Sequence, residues 1–426
     1  MSVPKTLIKN LSHIDHRNIG QRQGLFFLDK FSKGSSFFLP RGTHIYNKLT
    51  SYLREQYKAH GYQEVKTPNI YDSRLWKISG HWEHYEDHMI KFKLGQKDFS
   101  LKPMNCPGHC LMYKHLGKIH SSQLPIRWAD FGALHRNEAS GALLGLSRLR
   151  RFQQDDAHIF CTPDQVESEV TNCLKMAEEI YGQFDFKFNI ALSLRPQKYL
   201  GDDELWDRAE DSLRKALVNS KLDFEEQKFD GAFYGPKIDL TIKDCHQRLQ
   251  QCATIQLDFQ LPQRFDLTYR HQSDTSCLER PVIIHRAIFG SIERFIAMLA
   301  EHTSGRWPFW MSPLQAKVIP VHDKFISYAT KIHERLVREG FMADCELDPH
   351  STLSKKVQSA EFTRYNFILV VGRGEEETES VNVRFNVEKE ARQHSVSVDR
   401  LVELFKEFER KKVKNAEKEL LLTLTV

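Results

Sequence analysis

The sequence predicts an α+β fold, an antiparallel sheet with helices between its strands, followed by a small α/β domain. Two observations carry this. Strand-like stretches cluster around residues 126–160 and 237–290 with helical stretches between them, the pattern of an α+β sheet. Beyond residue 313 strand and helix patterns alternate regularly, as in a compact α/β unit. A boundary falls between the two at Arg306-Trp307-Pro308 to Pro313. At roughly 150 residues per domain, a chain of 426 residues has room for two or three domains.

In chain order, the first 35 residues are polar and irregular up to Gly34-Ser35-Ser36. Ile45, Leu49, Tyr52, Leu53 and Tyr57 then recur at helical spacing over 44–59, and Gly61 stands where a C-terminal cap belongs. Residues 62–67 read as a strand stopped by Pro68. Residues 126–134 and 150–160 read as two strands around a loop rich in Gly, Ser and Arg. Thr162-Pro163-Asp164-Gln165 is a capping box with proline at the first helical position, opening a helix that Gly182 can end. Strands follow at 237–243, 253–259 and 281–288, the last running through Gly290-Ser291 into an apolar-faced helix ending at His302. Farther on, strands at 317–321, 366–371 and 381–385 alternate with helices at 324–339, 354–365 and 398–412.

Composition narrows the class. With 40% hydrophobic and 27% charged residues, the chain has an ordinary globular mix rather than that of a disordered one. No apolar run approaches the roughly 18 residues a membrane helix needs, and mean hydropathy is −0.51. The net charge of +5 is compatible with a nucleic-acid partner without pointing to one. Residues 313–426 hold 19 Lys+Arg and 19 Asp+Glu, so RNA contact there would come from local patches such as Arg410 to Lys414. A charged helix end is otherwise a solvated face. Eight scattered cysteines read as reduced thiols, some free to hold a metal. Met1–Asn10 lacks the apolar stretch of a secretory signal.

Three groups of residues could carry chemistry. His135-Arg136-Asn137-Glu138 ends one strand, and Arg148, Arg150, Arg151, Phe152, Gln153, Gln154, Asp155 and Asp156 follow across the loop. A guanidinium fork suits phosphate oxygens and Phe152 offers a nucleobase a flat face. The plainer reading is a basic hairpin with surface ion pairs. In Gly290-Ser291-Ile292-Glu293-Arg294 a strand passes into a helix, where small residues admit a ligand and the helix start favours anions. Arg294 opposes the helix dipole there unless it faces a negative ligand, although Gly-Ser before a helix is usually a cap. The third group is Cys106 with His109 or Cys110, then His158, then His285. These are zinc-type ligands, but intervals of 52 and 127 residues match no local zinc motif, and ordinary histidines are the plainer reading.

Together these residues resemble the class II aminoacyl-tRNA synthetases, and within them the threonyl-tRNA synthetase family. The resemblance runs nearly without gaps from Asp15-His16-Arg17 to about Trp310 and more weakly beyond. The 44–59 helix with the strand ending at Pro68 resembles motif 1, the dimer-forming element. His135–Glu138 with Arg148–Asp156 resembles motif 2, and Gly290–Arg294 resembles motif 3. Sharper are the threonine-type strings Lys102-Pro103-Met104-Asn105-Cys106-Pro107-Gly108-His109, Gln154-Asp155-Asp156-Ala157-His158-Ile159-Phe160 and Ala232-Phe233-Tyr234-Gly235-Pro236-Lys237. Thr254-Ile255-Gln256-Leu257-Asp258-Phe259 and His285-Arg286-Ala287-Ile288 complete them. The resemblance implies an N-terminal segment over 1–35, a class II antiparallel-sheet catalytic domain over 36–312 and an anticodon-binding domain over 313–426. Within the last, Asp348 to Arg364 departs from the usual family pattern.

The function so implied is that of a homodimeric threonine–tRNA ligase, with zinc and Mg²⁺ as cofactors and neither DNA nor a membrane as partner. It would join threonine to ATP as threonyl-adenylate and pass it to tRNA(Thr). Zinc on Cys106, His158 and His285 would keep an open position and read the amino and hydroxyl groups of threonine. Shape alone could not separate threonine from isosteric valine. Met104, Gln154, Asp156, Tyr234 and Gln251 would bind the amino acid, Asp156 accepting from its hydroxyl. For ATP, Arg136 would hold the α-phosphate, Arg148 the γ-phosphate and Glu138 the adenine, which Phe152 and Arg294 would sandwich. Gln251, Thr254 and Ser291 would complete that site. Arg136 and Arg294 therefore count as catalytic, with His81 of Gly80-His81-Trp82 accepting a proton during transfer to tRNA. The family's N-terminal editing domain finds no room before Asp15, so serine activation without editing in cis is expected. This compact form resembles fungal mitochondrial members, which implies the mitochondrial matrix. One rival reading is a synthetase-like protein that binds tRNA or a regulatory ligand without catalysis; a second is an enzyme of the same class that uses another amino acid.

Overall fold

The computed structural model describes residues 14–232, 234–243, 249–271, 277–387 and 390–425, so Phe233 of the 232–237 string lies outside the described residues. The chain divides into two compact units. The larger, residues 28–37 and 50–298, is built on an eight-stranded sheet. Its strands are Gln63–Glu64 (β1), Ile126–Asp130 (β2), Asp156–Cys161 (β3), Phe188–Ser193 (β4), Phe224–Gln227 (β5), Lys237–Lys243 (β6), Leu249–Asp258 (β7) and Val282–Ala287 (β8). They lie in the order β5-β4-β6-β7-β8-β3-β2-β1. From β4 to β2 every pairing is antiparallel, as expected. The outer pairs, β4 with β5 and β1 with β2, are parallel.

The central strands turn one apolar face to the core and one polar face to the site: Ile238, Leu240 and Ile242 alternate with Lys237, Asp239 and Thr241 in β6, and Ala157, Ile159 and Cys161 with Asp156 and His158 in β3. All six residues of β3 are buried. The Val166–Gln183 helix buries Val170, Cys173, Leu174, Ala177, Ile180 and Tyr181, the i, i+3, i+4 stripe of a helix covering a sheet. Its capping box forms at Thr162 and Gln165, closing a short 3₁₀ turn first.

The two strands expected at 126–134 and 150–160 each break in two. Their distal parts, Ala133–His135 and Arg151–Gln153, leave the sheet and pair with each other. At the first break Gly132 N donates to Asp130 Oδ1 (2.7 Å); at the second, Asp155 anchors the chain. Its carboxylate accepts from the backbone N–H of Ile288 (2.8 Å) and Phe289 (3.1 Å), drawing the chain onto the end of β8. The strand expected at 62–67 shortens to Gln63–Glu64, and the helix after Gly34 begins at Pro40 rather than residue 44. A three-stranded sheet of Ile70–Asp72, Lys91–Leu94 and Lys97–Leu101 was not anticipated. Its hairpin signal is Gly95, which takes φ 61° at the turn.

The smaller unit joins residues 14–27 and 38–49 to residues 299–425. Ala316–Pro320 (β9), Ala343–Cys345 (β10), Phe367–Val371 (β11), Ser380–Val387 (β12) and Glu390–Ser397 (β13) form one sheet in the order β10-β9-β11-β12-β13. Helices at Ile326–Arg338, Leu353–Thr363 and Val398–Arg410 stand close to the expected positions. The polar, mostly exposed β13 carries no apolar alternation to betray it. The sequence boundary at residue 35 cuts this unit elsewhere than the structure does. The Gln23 amide donates to Gly305 O (2.7 Å) and Thr363 O (2.9 Å) and accepts from Trp307 Nε1 (2.8 Å). His16 Nδ1 lies 2.7 Å from Glu301 Oε1. Residues that look irregular alone are ordered by partners nearly 300 positions away.

Candidate active site

Strand register assembles the first part of the site. Across β3, β8 and β7, His158 stands opposite His285 and His285 opposite Gln256. Residues directly opposite in a sheet share a face, so Nε2 of His158 comes to 3.0 Å from Nδ1 of His285. Cys106 opens the helix Cys106–Leu116. The ligand atoms of Cys106, His158 and His285 all lie within 4.8 Å of one another. Tetrahedral zinc with N and S ligands holds its donors roughly 3.3–3.8 Å apart, so small side-chain rotations would close this triad on an ion. Three donors leave a fourth position open. Asp258 Oδ2 lies 2.9 Å from His285 Nε2, which turns the other imidazole nitrogen toward the triad, as carboxylates do at metal sites. The donor set and its support therefore fit zinc. Burial pushes the Cys106 thiol well above its ordinary value, an effect a bound cation reverses. Of the rival ligands, Cys110 is fully buried in the apolar cluster with Tyr113 and Phe160. His109 stands behind His158 rather than beside it.

Every other residue singled out for the site except His81 lines, with this triad, one cleft of ≈ 570 Å³. Near the triad, buried Asp156 accepts from Asn105 Nδ2 (3.0 Å), and Tyr234 donates to Gln256 Oε1 (2.8 Å). Met104 and Gln154 also face the cleft. The Arg136 guanidinium lies over the rings of Phe152 (5.1 Å) and Tyr85 (5.9 Å). Arg148 pairs with Glu138 (2.8 Å), so these two meet each other as well as the cleft.

Arg294 donates to Ser147 O (3.0 Å) and Gln251 O (3.3 Å). Burial, with Arg136 and Arg148 nearby, holds its guanidinium below the ordinary value, so the cleft is poised for an anion. Ser291 Oγ also accepts from Arg294 N (3.2 Å), the hydrogen bond that the plain cap reading of Gly-Ser expects. Gly290 sits at φ 68°, and a Cβ there would meet Cys252 O at 2.7 Å. We expect Gly290→Ala to cost roughly 1–3 kcal/mol, read as a lowered thermal midpoint.

Gln251 and Thr254 are joined by a residue not anticipated, Asp239. Its Oδ1 accepts from Gln251 Nε2 (2.5 Å) and Thr254 Oγ1 (2.8 Å), while Lys237 Nζ holds Oδ2 (2.6 Å). Asn105 and Gln256 lie within the threonine-type strings, where the sequence alone marks no role for them. Arg286, from the same strings, lies fully buried between the rings of Tyr57 (4.1 Å) and Tyr62 (4.0 Å). His81 is the exception among the expected residues. It lines a neighbouring cavity of ≈ 250 Å³ that shares Met104, Cys106, Tyr234 and His285 with the cleft. Its Nδ1 lies 2.8 Å from Ser79 Oγ, and burial lowers its imidazole to about 4.

Residues 90–303 match the tRNA synthetase class II core domain (G, H, P, S and T), and residues 315–408 match the anticodon binding domain. A solved structure described as the RNA binding domain of threonyl-tRNA synthetase from Cryptosporidium parvum is 46% identical, with a TM-score of 0.86. The match covers 92% of this chain and 98% of that one. The chain belongs to the threonyl-tRNA synthetase family. Human Threonine–tRNA ligase 1, cytoplasmic, is 52% identical over 400 residues, 93% of this chain and 55% of that protein. The cytoplasmic Threonine–tRNA ligase of Saccharomyces cerevisiae is 51% identical over 391 residues, 91% of this chain and 53% of that protein. The chain thus spans about half the length of these relatives. Membership in the threonyl-tRNA synthetase family accounts for the antiparallel sheet followed by the smaller unit, since a class II core precedes an anticodon-binding domain. Among the described residues, no helix is long and apolar enough to cross a membrane.

Proposed function

We propose that the chain is a threonine–tRNA ligase that forms threonyl-adenylate from threonine and ATP, releasing pyrophosphate, and transfers threonine to tRNA(Thr). The observation that carries this reading is the opening of the Cys106–His158–His285 triad into the same cleft as Arg136 and Arg294. A zinc ion on the triad would supply a Lewis acid for an amine and a neighbouring hydroxyl, a pair valine does not offer. Asp156 accepts a hydrogen bond from that hydroxyl, held in place by Asn105. Phe152 and Arg294 face the adenine, and Arg136 holds the α-phosphate that the threonine carboxylate attacks. Positive charge fixed there stabilises the transition state without a protein nucleophile, and Mg²⁺ accompanies the ATP. His81, oriented by Ser79, accepts the proton of the tRNA hydroxyl during transfer.

The reading extends to a homodimer and to the mitochondrial matrix. Sedimentation of the purified chain and localisation of the endogenous protein check these two points separately.

ATP–pyrophosphate exchange on metal-replete protein, with threonine, serine and valine compared, tests the reading. Threonine should support strong exchange. Serine keeps the hydroxyl and lacks one methyl, so it should be roughly 10–200-fold poorer in kcat/KM. Valine should give none. Absence of exchange with all three, in folded zinc-containing protein, would favour a non-catalytic RNA-binding role.

A further inference from the structure

We infer that His109 is a positioning residue for the metal site, fixing which nitrogen of His158 faces the ion and tying that ligand to Asp130. The inference rests on the zinc reading above and concerns a residue outside the triad. His158 is engaged on both nitrogens. Its Nε2 lies 3.0 Å from His285 Nδ1, within the triad, and its Nδ1 lies 2.8 Å from His109 Nδ1. A ligating imidazole gives the metal one lone pair and carries its proton on the other nitrogen. With Nε2 turned to the triad, His158 holds that proton on Nδ1 and donates it to His109. His109 must then accept through Nδ1 and carry its own proton on Nε2.

The surroundings agree. His109 is fully buried, and its Nε2 finds no hydrogen-bond partner among the described residues but lies 3.8 Å from Asp130 Oδ2. Asp130 is itself fixed, accepting from Thr67 Oγ1 (2.7 Å), Thr67 N (3.1 Å) and Gly132 N (2.7 Å), with Lys102 Nζ at 3.5 Å. The two metal-facing imidazoles thus end on two buried carboxylates, His285 directly on Asp258 and His158 on Asp130 through His109. His109 meets Nδ1 of His158, the nitrogen that does not face His285, so it would take a place in the triad only if His158 turned over.

Zinc competition with a chromophoric chelator, on the full chain, reads this directly. His109→Phe leaves the buried Nδ1–H of His158 without an acceptor, and zinc should bind about 10–100-fold more weakly. His109→Gln restores an amide oxygen and should recover part of that loss. In cobalt-substituted His109→Phe the thiolate-to-metal absorption should persist, since Cys106 still ligates. Unchanged zinc affinity in folded His109→Phe overturns the inference while leaving the zinc reading intact. A missing ligand in its cobalt spectrum also overturns it, by making His109 a ligand. A wild-type chain that binds no zinc overturns the zinc reading itself, and this inference with it. Should His109→Phe not fold, the zinc-bound structure of the unaltered chain decides: zinc on His158 Nε2 supports the assignment, and zinc on Nδ1 overturns it.

Discussion

Replacing Cys106 with alanine should lower threonine-dependent ATP–pyrophosphate exchange by at least about 10³-fold, the scale of losing a catalytic Lewis acid worth several kcal/mol. The purified variant should also hold little zinc. Two imidazoles alone make a poor tetrahedral site, and Cys110 is not among the ligand atoms that gather within 4.8 Å of one another there. ATP binding should survive, since Arg294 takes its partners from Ser147 and Gln251 and Arg136 sits over Phe152 and Tyr85. His158→Ala should behave the same way. The double variant should be scarcely worse than either single one, because the ligands act as a unit. Full exchange in Cys106→Ala would remove zinc from the mechanism.

Arg136→Ala should reduce kcat/KM for threonine activation by roughly 10²–10³-fold, the usual cost of removing a preorganised charge from a transition state. Zinc content should not change, which separates this loss from the first. Arg136→Lys should recover little, because a point charge lacks the planar fork and stacks poorly on Phe152 and Tyr85. Steady-state exchange at varied ATP checks both variants. Equal activity in Arg136→Ala and the parent would exclude Arg136 from the phosphate site.

Much of the fold was legible because local rules agree with it. The capping box at Thr162, the apolar stripe of the following helix and the strand–helix alternation beyond residue 313 all follow from periodicity and turn chemistry. The direction of a strand leaves no such trace, so the parallel outer pairs could not be anticipated. Nor does the sequence show the anchoring of Asp155, since its partners Ile288 and Phe289 lie more than 130 residues on. The site divides in the same way. Cys106, His158 and His285 match no spacing rule and emerged from the threonine-type strings. Asp239 escaped notice because its role comes from standing opposite Thr254 across β6 and β7, a juxtaposition created only by folding.

The direct pairing of His158 with His285 also sets a timetable for the newborn chain. Cys106 and His158 leave the ribosome well before their third partner, which follows 127 residues after His158. Until His285 emerges and its strand zips onto the earlier one, the nascent protein has two thirds of the proposed metal site and nowhere to close it. On the proposed zinc reading, metal capture would be a late event in the synthesis of this chain, and uptake of the ion would mark a sheet that has already found its alignment.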